Sequence, residues 1–472
     1  MQTGTTAAMN AVLELELQLP AAGSRDVRRQ LHAQLRQAIV VGRLAAGVQL
    51  PASRALADQL GLSRNTVMAV YDILLGEGHI VARAGAGTFV APAAPRPAGG
   101  GEARANPAIA YNLRPGRPDA TRFPFDIWGR LTGRVLRQYS RNPIAYREPS
   151  GHPALREAIA GHLSFARAIA CAPEDVIVTV GAQQAFDLLA RTLLTPERRV
   201  VVVEDPGYPA ARAAFAAAGA EVRAVPVDRE GLVVDQLPPD AAVICLTPSQ
   251  FPLGAPLSSR RRQALLTFAA EHDAVIVEDD YGGEFRFDGA PLDTLRTLDR
   301  DERVIYVGTF SQSLLPALRI GFVVAPGRFR QALTAARAHS DWHGPAIEHA
   351  TLAAFIGEGH LARHVRRMRG IYAARRAVLL RALARYCGDL LEPIPSVSGL
   401  HLAALLPETA DAEAVVARAE RTGVAVESLV SFAVERPPPG LVLGFGQIEA
   451  DRIDEAVAIL ADAIRAASTS RP

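Results

Sequence analysis

Five short apolar runs in this chain each end in residues that can do chemistry. Val180 is followed by Gly181-Ala182-Gln183, which opens a helical pattern. A glycine turn into a helix N-terminus offers free N–H groups to an anion, although an ordinary strand–helix turn looks the same in sequence. After Val203 comes Glu204-Asp205-Pro206-Gly207-Tyr208-Pro209, which sets an aromatic ring at a strand end. After Leu246 comes Thr247-Pro248-Ser249-Gln250-Phe251-Pro252. After Val277 stand Glu278, Asp279, Asp280 and Tyr281. After Val307 stand Gly308-Thr309-Phe310-Ser311-Gln312, with Arg319 seven residues further on. The set comprises a phosphate cradle, a flat ring, a carboxylate, a phenol, two hydroxyls and a guanidinium.

Elements must bring these residues together. The β-branched runs at 176–180, 200–203, 243–246, 274–277, 304–307 and 320–324 have helical patterns between several of them. That pattern implies an α/β domain with a mostly parallel sheet covered on both faces. Ligands of such sheets bind beyond the C-terminal ends of the strands, where the set above falls. The chain has 472 residues, 49% of them hydrophobic, which is more than one core organises, so two or more domains are expected. Residues 91–110 are rich in Ala, Pro and Gly without apolar period and read as a linker. It separates residues 1–90 from an α/β region at 111–472.

The first region has a different chemistry. Residues 12–19 alternate leucine with Glu or Gln and suggest a half-buried strand, and 25–41 suggest a helix. Ser53 is the expected N-cap of a helix ended by Gly61, and Ser63 that of a second. On the second helix Val67, Val70, Tyr71 and Leu74 share one apolar face, while Arg64, Asn65, Met68 and Asp72 point away. A hairpin follows around Gly85 and Gly87. Two helices joined by a tight glycine turn form a helix-turn-helix. Ser63, Arg64, Asn65 and Thr66 then lie in the first turn of the second helix, where a guanidinium, an amide and hydroxyls suit phosphates and base edges. Arg54 opens the preceding helix and Arg83 stands on the hairpin, where either could reach a phosphate, and Arg83 a minor groove, or form a solvated face.

Two resemblances follow from these motifs. Residues 25–90 resemble the winged helix-turn-helix of GntR regulators, through L-P-x-S-R (50–54), L-G-x-S-R-x-T-V (60–67) and G-x-G-T-F-V (85–90). The α/β region resembles fold-type I aminotransferases that use pyridoxal 5'-phosphate, through Y-x-x-P-x-G-x-x-x-L-R (146–156), E-D-P-G-Y-P (204–209) and E-D-D-Y-x-x-E-F-R (278–286). The whole chain is thus similar to the MocR subfamily. By that resemblance the fold is an N-terminal, mainly α winged helix-turn-helix plus a C-terminal α/β fold-type I aminotransferase-like domain. Asp279 would pair with the pyridinium nitrogen, Tyr281 with the ring 3'-oxygen, and Tyr208 would stack on the ring. Gly181, Ala182, Gln183, Thr309, Ser311 and Arg319 would hold the phosphate, with Tyr146 reaching that of a neighbouring subunit.

One position departs from the pattern. The subfamily phrase G-T-F-S-K supplies the lysine that forms the Schiff base; here it reads Gly308-Thr309-Phe310-Ser311-Gln312. All 51 basic residues are arginine, so no other lysine can move in. The amide of Gln312 is no amine nucleophile, and arginine stays protonated. Any vitamer is therefore expected to bind non-covalently, and no catalytic residue is assigned. Two smaller departures are an expected histidine missing between Ser249 and Gln250, and Val442 near where a carboxylate-binding arginine often stands.

Three readings remain open. The chain is a regulator sensing a vitamer or an amino-acid adduct, a regulator with a cofactor-free dimerisation or other-ligand domain, or an aminotransferase with a DNA-binding appendage. Eight arginines against six acids leave the N-terminal region weakly basic, so an operator in double-stranded DNA would need two copies, implying a homodimer. His360 and His364 lack a third ligand and read as a solvated face, so no metal is expected. No secretory signal or membrane run is visible, and Cys171, Cys245 and Cys387 have no paired spacing, which suits the cytoplasm.

Overall fold

The computed structural model describes residues 15, 17–20, 24, 26–83, 85–91, 109–142, 146–287, 293–435 and 437–468. They fall into two compact units, one within residues 1–104 and one within 105–472. Most of the expected linker, 92–108, lies outside the described residues.

The first unit runs α1 (Val27–Val40), β1 (Gln49–Leu50), α2 (Ser53–Leu60), α3 (Arg64–Gly76), β2 (Ile80–Arg83) and β3 (Gly87–Val90). Leu31 and Leu35 of α1, Leu56 of α2 and Val67, Val70 and Leu74 of α3 close one core, each at most 1% exposed. Each such side chain contributes about 1.5–3 kcal/mol. Gly61 ends α2 at φ +65°, a conformation glycine adopts without a Cβ clash. Ser63 caps α3: its Oγ accepts from the Thr66 N–H at 3.1 Å. Ser53 is not a cap. It is the first helical residue, and the cap position is Ala52, whose side chain has no oxygen to offer. The strand expected over 12–19 falls partly outside the described residues, at 12–14 and 16, and the rest of it is not a strand. Residues 15 and 17–19 are irregular, although Leu15, Leu17 and Leu19 pack against the core. The backbone of Gln18 is satisfied by the Gln34 side-chain amide, which accepts from its N–H at 2.9 Å and donates to its carbonyl at 2.6 Å. No ladder is needed there.

The second unit begins with β4 (Tyr111–Asn112), α4 (Phe125–Arg141) and α5 (Pro153–Arg167). Then β5 (Val176–Thr179), α6 (Gly181–Leu193), β6 (Val200–Asp205), α7 (Pro209–Ala217), β7 (Glu221–Asp228), β8 (Gly231–Leu232), β9 (Val243–Leu246) and α8 (Ser259–Glu271) follow. Next are β10 (Val275–Asp280), α9 (Leu295–Leu298), β11 (Val304–Thr309), β12 (Gly321–Val324), α10 (Gly327–Asp341), α11 (Ala346–Gly357) and α12 (His360–Cys387). The large sheet has the order β5-β12-β11-β10-β9-β6-β7-β8. The contiguous run β11, β10, β9, β6 and β7 is parallel. Strand β12 is antiparallel to both its neighbours, so β5 runs with the parallel set. All the chemistry-bearing strand ends therefore share one edge. Phe186, Phe215 and Leu333 cover one face, and Leu265 with Leu257 the other.

The chain closes with β13 (Glu392–Pro393), β14 (His401–Leu405), α13 (Ala412–Arg421), β15 (Val424–Ala425), β16 (Glu427–Ser428), β17 (Gly440–Gly444) and α14 (Ile453–Ser468). A second sheet, β13-β14-β17-β16, forms beside the large one. His364 is a further correction: it is 7% exposed on the inner side of α12, and burial drops its imidazole to about 4.

Candidate functional sites

In the first unit, Arg54, Ser63, Arg64 and Asn65 are all exposed, and Thr66 is half-buried with its hydroxyl 2.9 Å from Ser63 Oγ. The α3 N-terminus thus presents Arg64 and Asn65 outward while Ser63 and Thr66 organise the turn beneath them. The apolar face behind is fully buried, which fixes the outward direction. On the β2–β3 hairpin the Arg83 guanidinium lies over the Phe89 ring at 4.8 Å, holding it on the wing surface.

In the second unit, the strand ends surround a cavity of about 520 Å³. Ala182, Gln183, Tyr208, Asp279, Tyr281, Thr309, Ser311, Gln312 and Arg319 all line it. Gly181 stands behind the wall at φ +75°, and a Cβ there would lie 2.7 Å from the Arg319 guanidinium. The missing side chain leaves room for Arg319 against the α6 N-terminus. Arg319 itself takes a left-handed backbone, φ +50°, and donates to the Val180 carbonyl at 3.2 Å. Such a backbone costs about 1–3 kcal/mol and persists only where its surroundings hold it. Thr309 and Ser311 are joined through their hydroxyls at 3.0 Å beside it. Tyr146 is not brought in: it is 84% exposed, its ring 5.6 Å from that of Trp342.

The acidic end of β10 divides its carboxylates by strand alternation. Glu278 accepts from the backbone N–H groups of Leu295 and Arg296 at 2.7 and 3.0 Å, holding the start of α9. Asp280 pairs with Arg167 and accepts from the Tyr306 hydroxyl at 2.7 Å and the Gly283 N–H at 3.0 Å. Asp279 faces the other way, into the cavity, and its Oδ1 is buried without a partner. Burial, with Asp280 adding repulsion, pushes its carboxyl up to about 7. A buried acceptor in this state calls for a donor, and a protonated ring nitrogen supplies one. Tyr208 and Tyr281 flank Phe251 edge-on at 5.8 and 5.5 Å, and burial raises the Tyr281 phenol well above its usual range.

Behind Asp279 lies Glu204, which accepts from the Thr247 N–H at 3.1 Å and hydroxyl at 2.9 Å; burial raises it to about 8. Sequence reading passed over its role because a carboxylate ending a valine run gives no sign of what it meets.

Several lining residues were missed: Arg114, Gly116, Arg117, Glu427 and Ser431. Arg114 is committed to Glu420 and, at 3.2 Å, to Glu427, whereas Arg117 is exposed in the wall. The paired arginines around Pro115-Gly116 were the available signal. Val442 is fully buried in β17 among Phe251, Leu429 and Phe432, far from any carboxylate-binding role.

The residues present suit a phosphorylated pyridine: a glycine-opened helix N-terminus with a guanidinium, an orphaned carboxylate oxygen and an aromatic wall. Bound there, that group would act as an electron sink, and Asp279 would keep its nitrogen protonated.

Comparison with known proteins agrees with both units. Residues 27–90 match the model of bacterial regulatory proteins of the gntR family, and residues 138–460 that of aminotransferase class I and II. The chain is 36% identical over 468 residues to the probable rhizopine catabolism regulatory protein MocR of Rhizobium meliloti, covering 94% of this chain and 95% of that one. It is 34% identical to the HTH-type pyridoxine biosynthesis transcriptional regulator PdxR of Corynebacterium glutamicum, over 93% and 96% of the two chains. Kynurenine aminotransferase of Pyrococcus horikoshii superposes with a TM-score of 0.70 at 29% identity, covering 77% of this chain and 92% of the other. Among the described residues no helix is long and apolar enough to cross a membrane. The chain belongs to the family of MocR-type transcriptional regulators, in which a GntR DNA-binding domain is joined to a fold-type I aminotransferase domain.

Proposed function

We propose that this chain is a cytoplasmic transcription regulator whose aminotransferase-like domain senses pyridoxal 5'-phosphate, a related vitamer or its amino-acid adduct without a covalent bond. The observation that carries the reading is the pairing of an unsatisfied Asp279 Oδ1 with Gln312 in one cavity, in a chain that has no lysine. Asp279 and Tyr281 would grip the ring, Tyr208 would stack on it, and Gly181, Ala182, Gln183, Thr309, Ser311 and Arg319 would hold the phosphate. Arg117 takes the carboxylate of an amino-acid adduct. It is the lining arginine placed for this, since Arg114 is paired with two glutamates and Arg319 is given to the phosphate.

Residues 1–90 form the DNA-reading head, 91–110 the linker and 111–472 the effector and dimerisation domain. Arg54, Ser63, Arg64, Asn65, Thr66 and Arg83 contact DNA, and two heads of a homodimer meet a two-part operator. The exposed rings of Tyr146 and Trp342, 5.6 Å apart, support a subunit interface, from which Tyr146 reaches the other subunit. Occupancy biases the placement of the heads only through different affinity in the two arrangements.

The test is calorimetric titration of dialysed full-length protein with each vitamer and with a phosphopyridoxyl amino acid. Heat with a one-per-chain stoichiometry is expected. Silence for every ligand refutes the sensor and leaves the dimerisation scaffold. Steady keto-acid production from an amino acid would instead establish an enzyme.

A further inference from the structure

The geometry points to Gln312 as the residue that makes this pocket selective for the amine form of the cofactor, pyridoxamine 5'-phosphate, over the aldehyde. The inference rests on the proposed function and on the subfamily phrase, in which position 312 holds the lysine that condenses with the cofactor aldehyde.

Gln312 follows β11 in the segment that also carries Thr309 and Ser311, and it lines the cavity. Its Oε1 is buried and has no hydrogen-bond partner. Gly116, in the turn that carries Arg117, comes close to the amide: a Cβ there would stand 3.8 Å from Nε2. An orphaned amide carbonyl is a standing cost of about 1–3 kcal/mol that a donor on the ligand relieves. In the same cavity Asp279 Oδ1 is the second orphaned acceptor. Both unsatisfied oxygens ask for a ligand rich in N–H groups.

The vitamers differ at one substituent. Pyridoxal phosphate carries an aldehyde there, which only accepts. Pyridoxine phosphate carries a hydroxymethyl group with one neutral donor. Pyridoxamine phosphate carries an aminomethyl group, an ammonium at neutral pH with three donors and a full charge. Against Gln312 Oε1 the ammonium makes a charge-assisted bond, while the aldehyde oxygen meets another acceptor. Turning the amide over would give the aldehyde a neutral N–H···O contact, about half as strong as the charge-assisted one. A lysine at this position would reverse the preference, because its amine repels an ammonium and condenses with an aldehyde. The glutamine therefore changes which form of the ligand is read, in addition to removing a bond.

The experiment is isothermal titration of the full-length protein with pyridoxamine, pyridoxal and pyridoxine 5'-phosphates, repeated on Gln312→Met and Gln312→Glu. Thermal melts check that each variant folds. The wild type is expected to bind pyridoxamine phosphate at least about tenfold tighter than pyridoxal phosphate, with pyridoxine phosphate between. Gln312→Met should bring the amine and aldehyde forms within about threefold, and Gln312→Glu should widen the gap by restoring an acceptor with charge. Equal or tighter binding of the aldehyde by wild type overturns the inference while leaving the sensor intact, as does a preference that survives Gln312→Met. Should no vitamer bind at all, the sensor reading fails and takes this one with it.

Discussion

Replacing Asp279 by asparagine should move stability and ligand affinity in opposite directions. The Asp279 carboxyl is buried and raised from an ordinary 3.8 to about 7, because burial and then Asp280 disfavour its charge. The folded chain holds this proton more tightly than the unfolded chain does. Stability therefore falls as pH climbs from about 4 to about 7, and the penalty is complete above that. Three pH units of displacement correspond to on the order of 4 kcal/mol. An asparagine carries no charge but still leaves buried polar atoms unpaired, at about 1–3 kcal/mol. The expected net gain for Asp279→Asn is thus about 1–3 kcal/mol at pH ~8, turning into a loss of about 1–3 kcal/mol near pH ~4, where the wild-type carboxyl is already neutral. Affinity for pyridoxamine phosphate should fall at least about tenfold, since the charged acceptor for the ring nitrogen is gone. The assay is denaturant unfolding across this pH range, paired with calorimetric titration. A variant whose stability follows the wild-type pH curve would show that Asp279 is not held at a raised proton affinity. Unchanged vitamer affinity would remove it from the ligand.

Three further outcomes are expected. Arg64→Ala should weaken operator binding in a gel-shift series by about 1–3 kcal/mol if the guanidinium reads a base, and by the same factor on every sequence if it meets only phosphate. Leu74→Ala empties a fully buried position in the first unit and should cost about 2–5 kcal/mol by denaturant unfolding, with the vitamer titration left as it was. Gln312→Lys places a primary amine in the pocket; mixed with pyridoxal phosphate it should condense with the aldehyde, release water and produce a Schiff-base absorbance that borohydride removes, whereas wild type stays without one.

The large sheet was legible because its strands are short valine and isoleucine runs, and every expected run became a strand. Their ends were less so. Strands β10 and β11 continue to Asp280 and Thr309, because the rungs Asp279–Val307 and Asp280–Gly308 extend the ladder past the apolar run. Strand β7 escaped notice, since Glu221, Arg223 and Pro226 interrupt its apolar pattern on a partly exposed flank of the sheet. The second sheet was hidden for another reason. His401–Leu405 and Gly440–Gly444 are short and poor in β-branched residues, and tertiary burial alone makes them strands. Within the candidate pocket, motif-borne residues were found and fold-borne ones were not. Arg114 and Arg117 lie almost two hundred positions before Gln312, and no local spacing joins them. Ser53 was misplaced by one residue because Ala52, with ψ 145°, already carries the extended backbone that a cap requires.

The final rungs of β10 obey a parity rule. Positions 278 and 280 are clamped by the protein's own donors, and 279 between them is left open. Such a strand separates two kinds of tolerance: the flanking sites hold hydrogen bonds on which folding depends, while the middle one, whose Oδ1 has no partner, can change without breaking such a bond. New ligands can therefore be tried at a single odd-numbered letter while the two letters beside it keep the frame intact.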